Sequence, residues 1–112
     1  MLTIPYNAKY EFSKELLQDI FSDALERGSH YWAKLHKPYS LPEAFKDGGV
    51  VIIVDHRAVK YYSIILNDVE LGLRKMSEKF PAAFLALITE DWDSKTSDNF
   101  LQLVVFGEHK YG

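Results

Sequence analysis

Three features of the amino-acid sequence predict an α+β fold, with a long N-terminal helix and two or three further helices packed on a small antiparallel hairpin or sheet. A wide apolar stripe near the N-terminus follows helical spacing. A β-branched run in mid-chain is answered by a second strand-like stretch. Further helical patterns fill the C-terminal half. The chain has 112 residues, and a chain of that size buries roughly two thirds of its unfolded surface, enough for a core without crosslinks. No internal repeat, low-complexity tract or Gly/Ser linker interrupts it, so residues 1–112 read as a single domain.

The first helix is expected from Ser13 to His36. Leu16 and Leu17, Ile20 and Phe21, and Ala24 and Leu25 recur four apart, and the stripe continues through Gly28 to Tyr31, Trp32 and Leu35. Ser13 supplies an N-cap and Glu15 a negative charge in the first turn. Pro38 ends the element, because the residue before a proline avoids the helical region. A glycine inside a helix costs about 1 kcal/mol against alanine. Gly28 therefore calls for compensation, either a close approach of another backbone, which is favoured, or a break in the helix. Residues 39–47 read as a polar connection containing Pro42 and closed by Gly48 and Gly49. Val50 to Asp55 then reads as a strand, His56 to Ala58 as a turn, and Val59 to Ile64 as the returning strand of a hairpin.

Leu66, Val69, Leu73, Met76 and Phe80 follow the spacing of a second amphipathic helix, with Asn67 and Glu70 as its capping box. Pro81 ends that helix or opens a short buried one reaching Thr89. Glu90 to Asn99 is polar and loop-like. For Asp98 to Phe106 the paired apolar residues favour a helix, with Thr96, Ser97 or Asp98 as N-cap and Gly107 just past its end. Val104 and Val105 keep a strand as the alternative.

Composition bounds the function classes. The chain is 47% hydrophobic and 14% aromatic, too apolar for a disordered segment. It has no cysteine, which removes disulfides, thiolate zinc sites and thiol catalysis and fits a reducing, cytoplasmic location. The longest apolar runs fall far short of a bilayer span, and no signal peptide is apparent at the N-terminus. Thirteen Lys and Arg against sixteen Asp and Glu leave a net charge of −3, which disfavours nucleic acid as a partner.

Residue types with chemical potential are few. His30 and His36, six apart, would lie roughly 120° apart on a helix, unlike the i, i+4 pair of a helical metal site. They read as structural or solvated, and neither a metal nor a cofactor is expected. Asp55, His56 and Arg57 follow a strand, where Asp55 could orient His56 as a general base and Arg57 hold an anion. The plain reading is a polar turn, since no nucleophile motif or phosphate loop accompanies them. No catalytic residue is therefore assigned. Glu90, Asp91 and Asp93 surround Trp92, and this loop lacks the glycine and terminal glutamate of a calcium site. Usually such a cluster is a solvated loop. Its functional reading is contact with a protein partner, because tryptophan anchors interfaces. Asp55, Arg57, Lys60 and Tyr62 of the hairpin form a second candidate contact surface. Lys60 among tyrosines is weak ground for base stacking, and the acidic balance argues against it.

Two stretches carry a resemblance. Ala24-Leu25-Glu26-Arg27-Gly28-Ser29-His30-Tyr31-Trp32 is similar to an A-L-E-x-G-x-x-Y-W helix, and Phe100 to Gly112 to an I-L-Q-x-x-x-F-G-E-x-x-Y-G ending. Both patterns are those of a group of small, mostly uncharacterised phage and prophage proteins, which the chain resembles at these positions. Gly48-Gly49 and the Leu66 to Leu73 segment, with Gly72 inside it, match the same outline. Ile65 departs from it where the group has Thr, at the cap of the second helix, and His109 where it has an aliphatic residue. The resemblance implies a mobile-element origin and a small helix-plus-hairpin domain, and favours a helix over Asp98 to Phe106. It brings no catalytic residue, since the matching Gly28, Tyr31, Trp32, Phe106, Gly107 and Tyr111 look architectural. Trp32 packing on Phe106 across Gly28 is one such arrangement. The expectation is a non-enzymatic module that binds a host or phage protein, for instance an inhibitor of a host defence system such as a CRISPR effector. The alternatives are a homo-oligomeric accessory protein or a small enzyme or metal protein centred on Asp55 and His56.

Overall fold

Ser13 starts the first helix as the sequence predicts. Its hydroxyl accepts from the Leu16 amide at 3.1 Å, satisfying one of the donors that a helix N-terminus leaves free. Helix α1 (Lys14–Asp23) passes directly into a wider π-type turn (Ala24–Gly28) and ends there. The computed structural model of the protein describes residues 2–6, 8–36 and 50–112. The expected polar connection over 39–47 and the Gly48–Gly49 pair lie outside the described residues.

The helix is thus shorter than the stripe that announced it. Tyr31 and Trp32 lie in a turn and Leu35 in a strand, so these apolar residues join the core by a different route. Gly28 combines both expected compensations. The helix stops at it, and a Cβ there would collide with the Ser94 carbonyl and come within 2.7 Å of the Ser97 hydroxyl. Trp32 does pack on Phe106, with ring centroids 4.9 Å apart. Gly28 does not lie between them: it meets the start of the last helix, whereas Phe106 is at its end.

Among the described residues five strands form two antiparallel sheets, three of them outside the sequence expectation. β1 (Leu2–Tyr6) pairs with β2 (Ala8–Phe12). β3 (Ala33–Leu35) adds to the predicted hairpin of β4 (Val51–Asp55) and β5 (Lys60–Ile64), giving the order β3-β4-β5. Alternation puts Val51, Ile53 and Asp55 of the central strand on the buried face.

Three helices follow. α2 (Leu66–Lys79) is capped at Ile65, not at Asn67. Ile65 offers no oxygen to the helix, and only the reciprocal half of a capping box forms: the Asp68 carboxylate accepts from the Ile65 amide at 2.9 Å. Glu70 pairs instead with Arg74 one turn on, at 3.2 Å. α3 (Pro81–Ile88) opens with Pro81 in its first turn. α4 (Ser94–Phe106) settles the ambiguity in favour of a helix and starts earlier than expected, with Asp93 as N-cap. Thr96, Ser97 and Asp98 therefore sit inside the helix, and the polar loop shrinks to Glu90–Asp93. Gly107 ends α4 with φ at +75°, the left-handed conformation that glycine adopts without penalty.

The core lies between the helices and the inner face of the three-stranded sheet. Trp32, Phe12, Phe21, Phe84 and Phe100 are its largest members, all essentially inaccessible. Phe21 meets Phe100 edge-on at 5.2 Å, joining α1 to α4. α4 is central, and its buried face also carries Asp98 and Gln102.

Candidate functional site

Burying polar side chains in a helix is costly unless each finds partners. Asp98 and Gln102 lie one turn apart on α4 and find theirs in two other segments. The Asp98 carboxylate accepts from the Ser29 hydroxyl at 2.7 Å, the Trp32 indole N–H at 2.8 Å, the Tyr31 hydroxyl at 2.8 Å and Gln102 Nε2 at 3.0 Å. Gln102 Oε1 accepts the amides of Lys110 and Tyr111, both at 2.7 Å, while Nε2 lies 3.0 Å from the Tyr111 carbonyl. Two backbone donors on one side fix which end of the amide is oxygen. Gln102 thereby straps the C-terminal tail to α4.

The tail reaches the hairpin through its own side chains. Asp55, fully buried, receives the Arg57 and Ala58 amides on one oxygen at 3.0 and 3.1 Å, which shapes the turn. Its other oxygen accepts the Tyr111 hydroxyl at 2.8 Å, with Lys110 Nζ at 3.9 Å. Burial pushes the Asp55 carboxyl up, but the Tyr111 hydroxyl, the two turn amides and the Lys110 charge outweigh it and hold the group below its ordinary value. The hydrogen bond to Asp55, aided by burial and the carboxylate charge, raises Tyr111 in turn. Tyr31 is pushed up to about 12 by burial and by its bond to Asp98.

Above these anchors lies a surface of aromatic rings and cations. Arg57 stands 5.1 Å over the Tyr111 ring, and Lys110 4.9 Å over Phe106 and 5.1 Å over Tyr111. Tyr31 meets the Tyr111 ring edge-on at 6.5 Å and is 39% exposed, so its rim is free for contact while its hydroxyl is held. His30 and His56 lie beside it, the His56 ring nitrogen Nε2 3.1 Å from the His30 carbonyl. Chemically, the arrangement presents two cations and the rim of Tyr31 on a hydrogen-bonded support, a combination that can face carboxylates or other anions.

The structure separates the predicted contact residues. Arg57 is exposed at this surface and Lys60 at the start of β5. Tyr62 is half-buried against Phe106, edge-on at 5.4 Å. Asp55 is a correction: with no exposed area and both oxygens engaged, it supports the surface from beneath and offers nothing to a partner. In the acidic loop, Glu90 and Asp91 are exposed and Glu90 holds a left-handed backbone, φ +56°. Asp93 is occupied as a cap, accepting from the Thr96 amide and hydroxyl at 2.9 Å, which keeps its carboxyl below the usual range. Trp92 is half-buried against the core, so it is partly a packing residue. Nearby, Phe80, Asp93, Lys95, Asn99 and His109 line a wide, open groove of about 360 Å³.

The dyad imagined for catalysis does not form. Asp55 turns to Tyr111 and the turn amides, and His56 to the His30 carbonyl. His30 lies in a turn and His36 beyond β3, where its ring meets Tyr61 edge-on at 5.0 Å, so the helical geometry argued for this pair does not apply. Among the described residues no three His, Cys, Asp or Glu side chains gather as a metal site. Sequence reasoning missed Gln102 and Lys110, and it read Tyr31 as architectural and Asp98 as a helix cap. One signal was present: a glutamine within the apolar run Leu101 to Phe106 has to be either exposed or bonded. Compared with family models, curated proteins and solved structures, the chain finds no match.

Proposed function

We propose that this protein is a non-enzymatic protein-binding module of phage or prophage type, working inside the host cell by occupying a surface of a host or phage protein. Inhibition of a host defence system such as a CRISPR effector is its most concrete form. The observation that carries the reading is the pinned surface of Tyr31, Arg57 and Lys110. Arginine and tyrosine are enriched among the few residues that dominate binding at protein interfaces, and holding them in place before contact lowers the cost of ordering them. Here the Tyr31 hydroxyl is fixed by Asp98, the Arg57 amide by Asp55 and the Lys110 amide by Gln102. Two cations beside exposed aromatic area favour an acidic patch on the partner.

The test is affinity capture of the tagged protein from host lysate, with the double variant Arg57→Glu, Lys110→Glu as matched control. One dominant protein should be captured and lost with the variant, a weakening of at least ~30-fold if the pair contributes the ~2 kcal/mol of an interface hot spot. Both side chains are exposed, but Lys110 also faces Asp55 and the Phe106 and Tyr111 rings, so lost capture counts as lost contact only where the variant keeps the wild-type circular dichroism and melting temperature. A partner held equally well by the variant moves the contact elsewhere, the Glu90–Asp93 loop being next. Trp92→Ala is a poor first control, because its packing on the core ties binding to stability.

A further inference from the structure

Strand β5 is one of the two edges of its sheet, and the hydrogen-bond phase shows which of its backbone groups are spent. The His36 amide donates to the Ile52 carbonyl and the His56 amide to the Trp32 carbonyl, both at 2.9 Å. Even-numbered residues of β4 therefore bond towards β3, and Val51, Ile53 and Asp55 bond towards β5. Their register partners are Ile64, Tyr62 and Lys60. Tyr61 and Ser63 consequently aim N–H and C=O away from the sheet. Ile65, next in that phase, is satisfied within the chain: its amide donates to Asp68, and its carbonyl accepts from the amides of Asp68 and Val69. Among the described residues nothing pairs with the outward groups of Tyr61 and Ser63.

Protein edges are ordinarily blunted by proline, a bulge or charge pointing along the seam. β5 has none of these except Lys60 at its first position. It is also flanked by apolar residues that its own chain leaves in solvent: Val59 78% exposed, Tyr61 62% and Ile65 46%.

We propose that β5 pairs antiparallel with β5 of a second copy of this chain, about a two-fold axis through Tyr62, joining two three-stranded sheets into one. The self-complementarity of the strand selects this occupant. With Tyr62 opposite Tyr62, Tyr61 of each copy lies opposite Ser63 of the other, so the outward donors and acceptors satisfy one another. Lys60 meets Ile64 and not a second Lys60, so like charges are kept apart. On the outer face the exposed Val59 of each copy comes opposite the exposed Ile65 of the other. A register moved by one residue turns the spent amides to the seam, and one moved by two sets into the ladder either Val59, with φ +54°, or Ile65, whose amide and carbonyl are already bonded. This pairing is independent of the proposed acidic partner and of the surface around Arg57.

The test is the mass of the full chain in solution by light scattering over a range of concentration, with three variants. The wild type is expected to double its mass as concentration rises. Ser63→Pro removes an N–H that no bond among the described residues uses, so it should give a folded monomer by circular dichroism. The chain has no native cysteine, so Tyr62→Cys should form a disulfide-linked dimer on mild oxidation, whereas Ser63→Cys, lying opposite Tyr61, should not. The two cysteine variants decide the matter even if the proline variant fails to fold. A wild type that stays monomeric overturns the proposal. So does a dimer that survives Ser63→Pro and leaves Tyr62→Cys uncrosslinked, or a monomer whose β5 resonances shift only on adding an acidic extended peptide.

Discussion

Asp98 is a buried carboxylate with four hydrogen-bond donors around it and, among the described residues, no ion pair. Its charge is offset by the dipoles of Ser29, Tyr31, Trp32 and Gln102, which makes the acceptor count the critical quantity. Asp98→Asn changes little in shape but turns one acceptor into a donor that faces donors. Leaving such groups unpaired costs about 1–3 kcal/mol, and a loss of about 2–3 kcal/mol is expected. Denaturant unfolding followed by tryptophan fluorescence checks it, and an unchanged midpoint would remove Asp98 from the framework. None of this was legible locally, because three of the donors lie 66, 67 and 69 positions away in the chain. Ser13 and Gly107 were legible, because a cap is settled by bonds within one turn of the helix it ends.

At the scale of elements, helix packing depends on two glycines. A Cβ on Gly72 of α2 would lie 2.7 Å from Val104 Cγ2 and 2.9 Å from Val104 Cα on α4. Gly28 meets the backbone of Ser94 in the same way. Gly72→Ala gains about 1 kcal/mol of helix propensity, but overpacking costs typically 1–3 kcal/mol. The contact is with backbone, which cannot swing aside, so overpacking wins. Each alanine variant should lower the melting temperature, Gly28→Ala the more, since it gains nothing at a helix end. A rise for Gly72→Ala would mean that α2 and α4 can separate without loss. The first helix was overread for a related reason. Tyr31, Trp32 and Leu35 extend an apolar pattern that a helix shares with a turn leading into a strand, and only the approach of α4 at Gly28 stops the helix there. The hairpin of β1 and β2 went unread although Leu2, Ile4 and Tyr6 alternate with polar or small residues, because Pro5 and the short strands weaken that signal.

At the scale of the whole molecule, the linked carboxylates and tyrosines make stability depend on pH at both ends. Tyr31 is pushed up to about 12 and Tyr111 is raised, so both hold their protons more tightly folded than unfolded. Their contribution is complete below the ordinary tyrosine value and is lost as pH climbs towards about 12. Asp55 and Asp93 are lowered, so theirs is present above the ordinary carboxylate value and is lost as pH falls through the folded one. Denaturant unfolding at a series of alkaline pH values should show stability falling more steeply for the wild type than for Tyr31→Phe. Parallel curves would mean that the Tyr31–Asp98 bond is not kept in solution.

By itself the sequence determined the α+β class, the β4–β5 hairpin, helix α2 and the cap at Ser13, and it favoured, without settling, the helix that Gly107 ends. Each rests on periodicity or on bonds between near neighbours, so the residues involved carry the information together. Only the tertiary structure decided where α1 ends, that β3 joins the hairpin, that Asp55 lies beneath the candidate surface, and that Arg57, Lys110 and Tyr31 meet. Those outcomes come from contacts between segments far apart in the chain. A buried carboxylate or amide is satisfied by whichever donors the fold delivers, and no local pattern names them in advance.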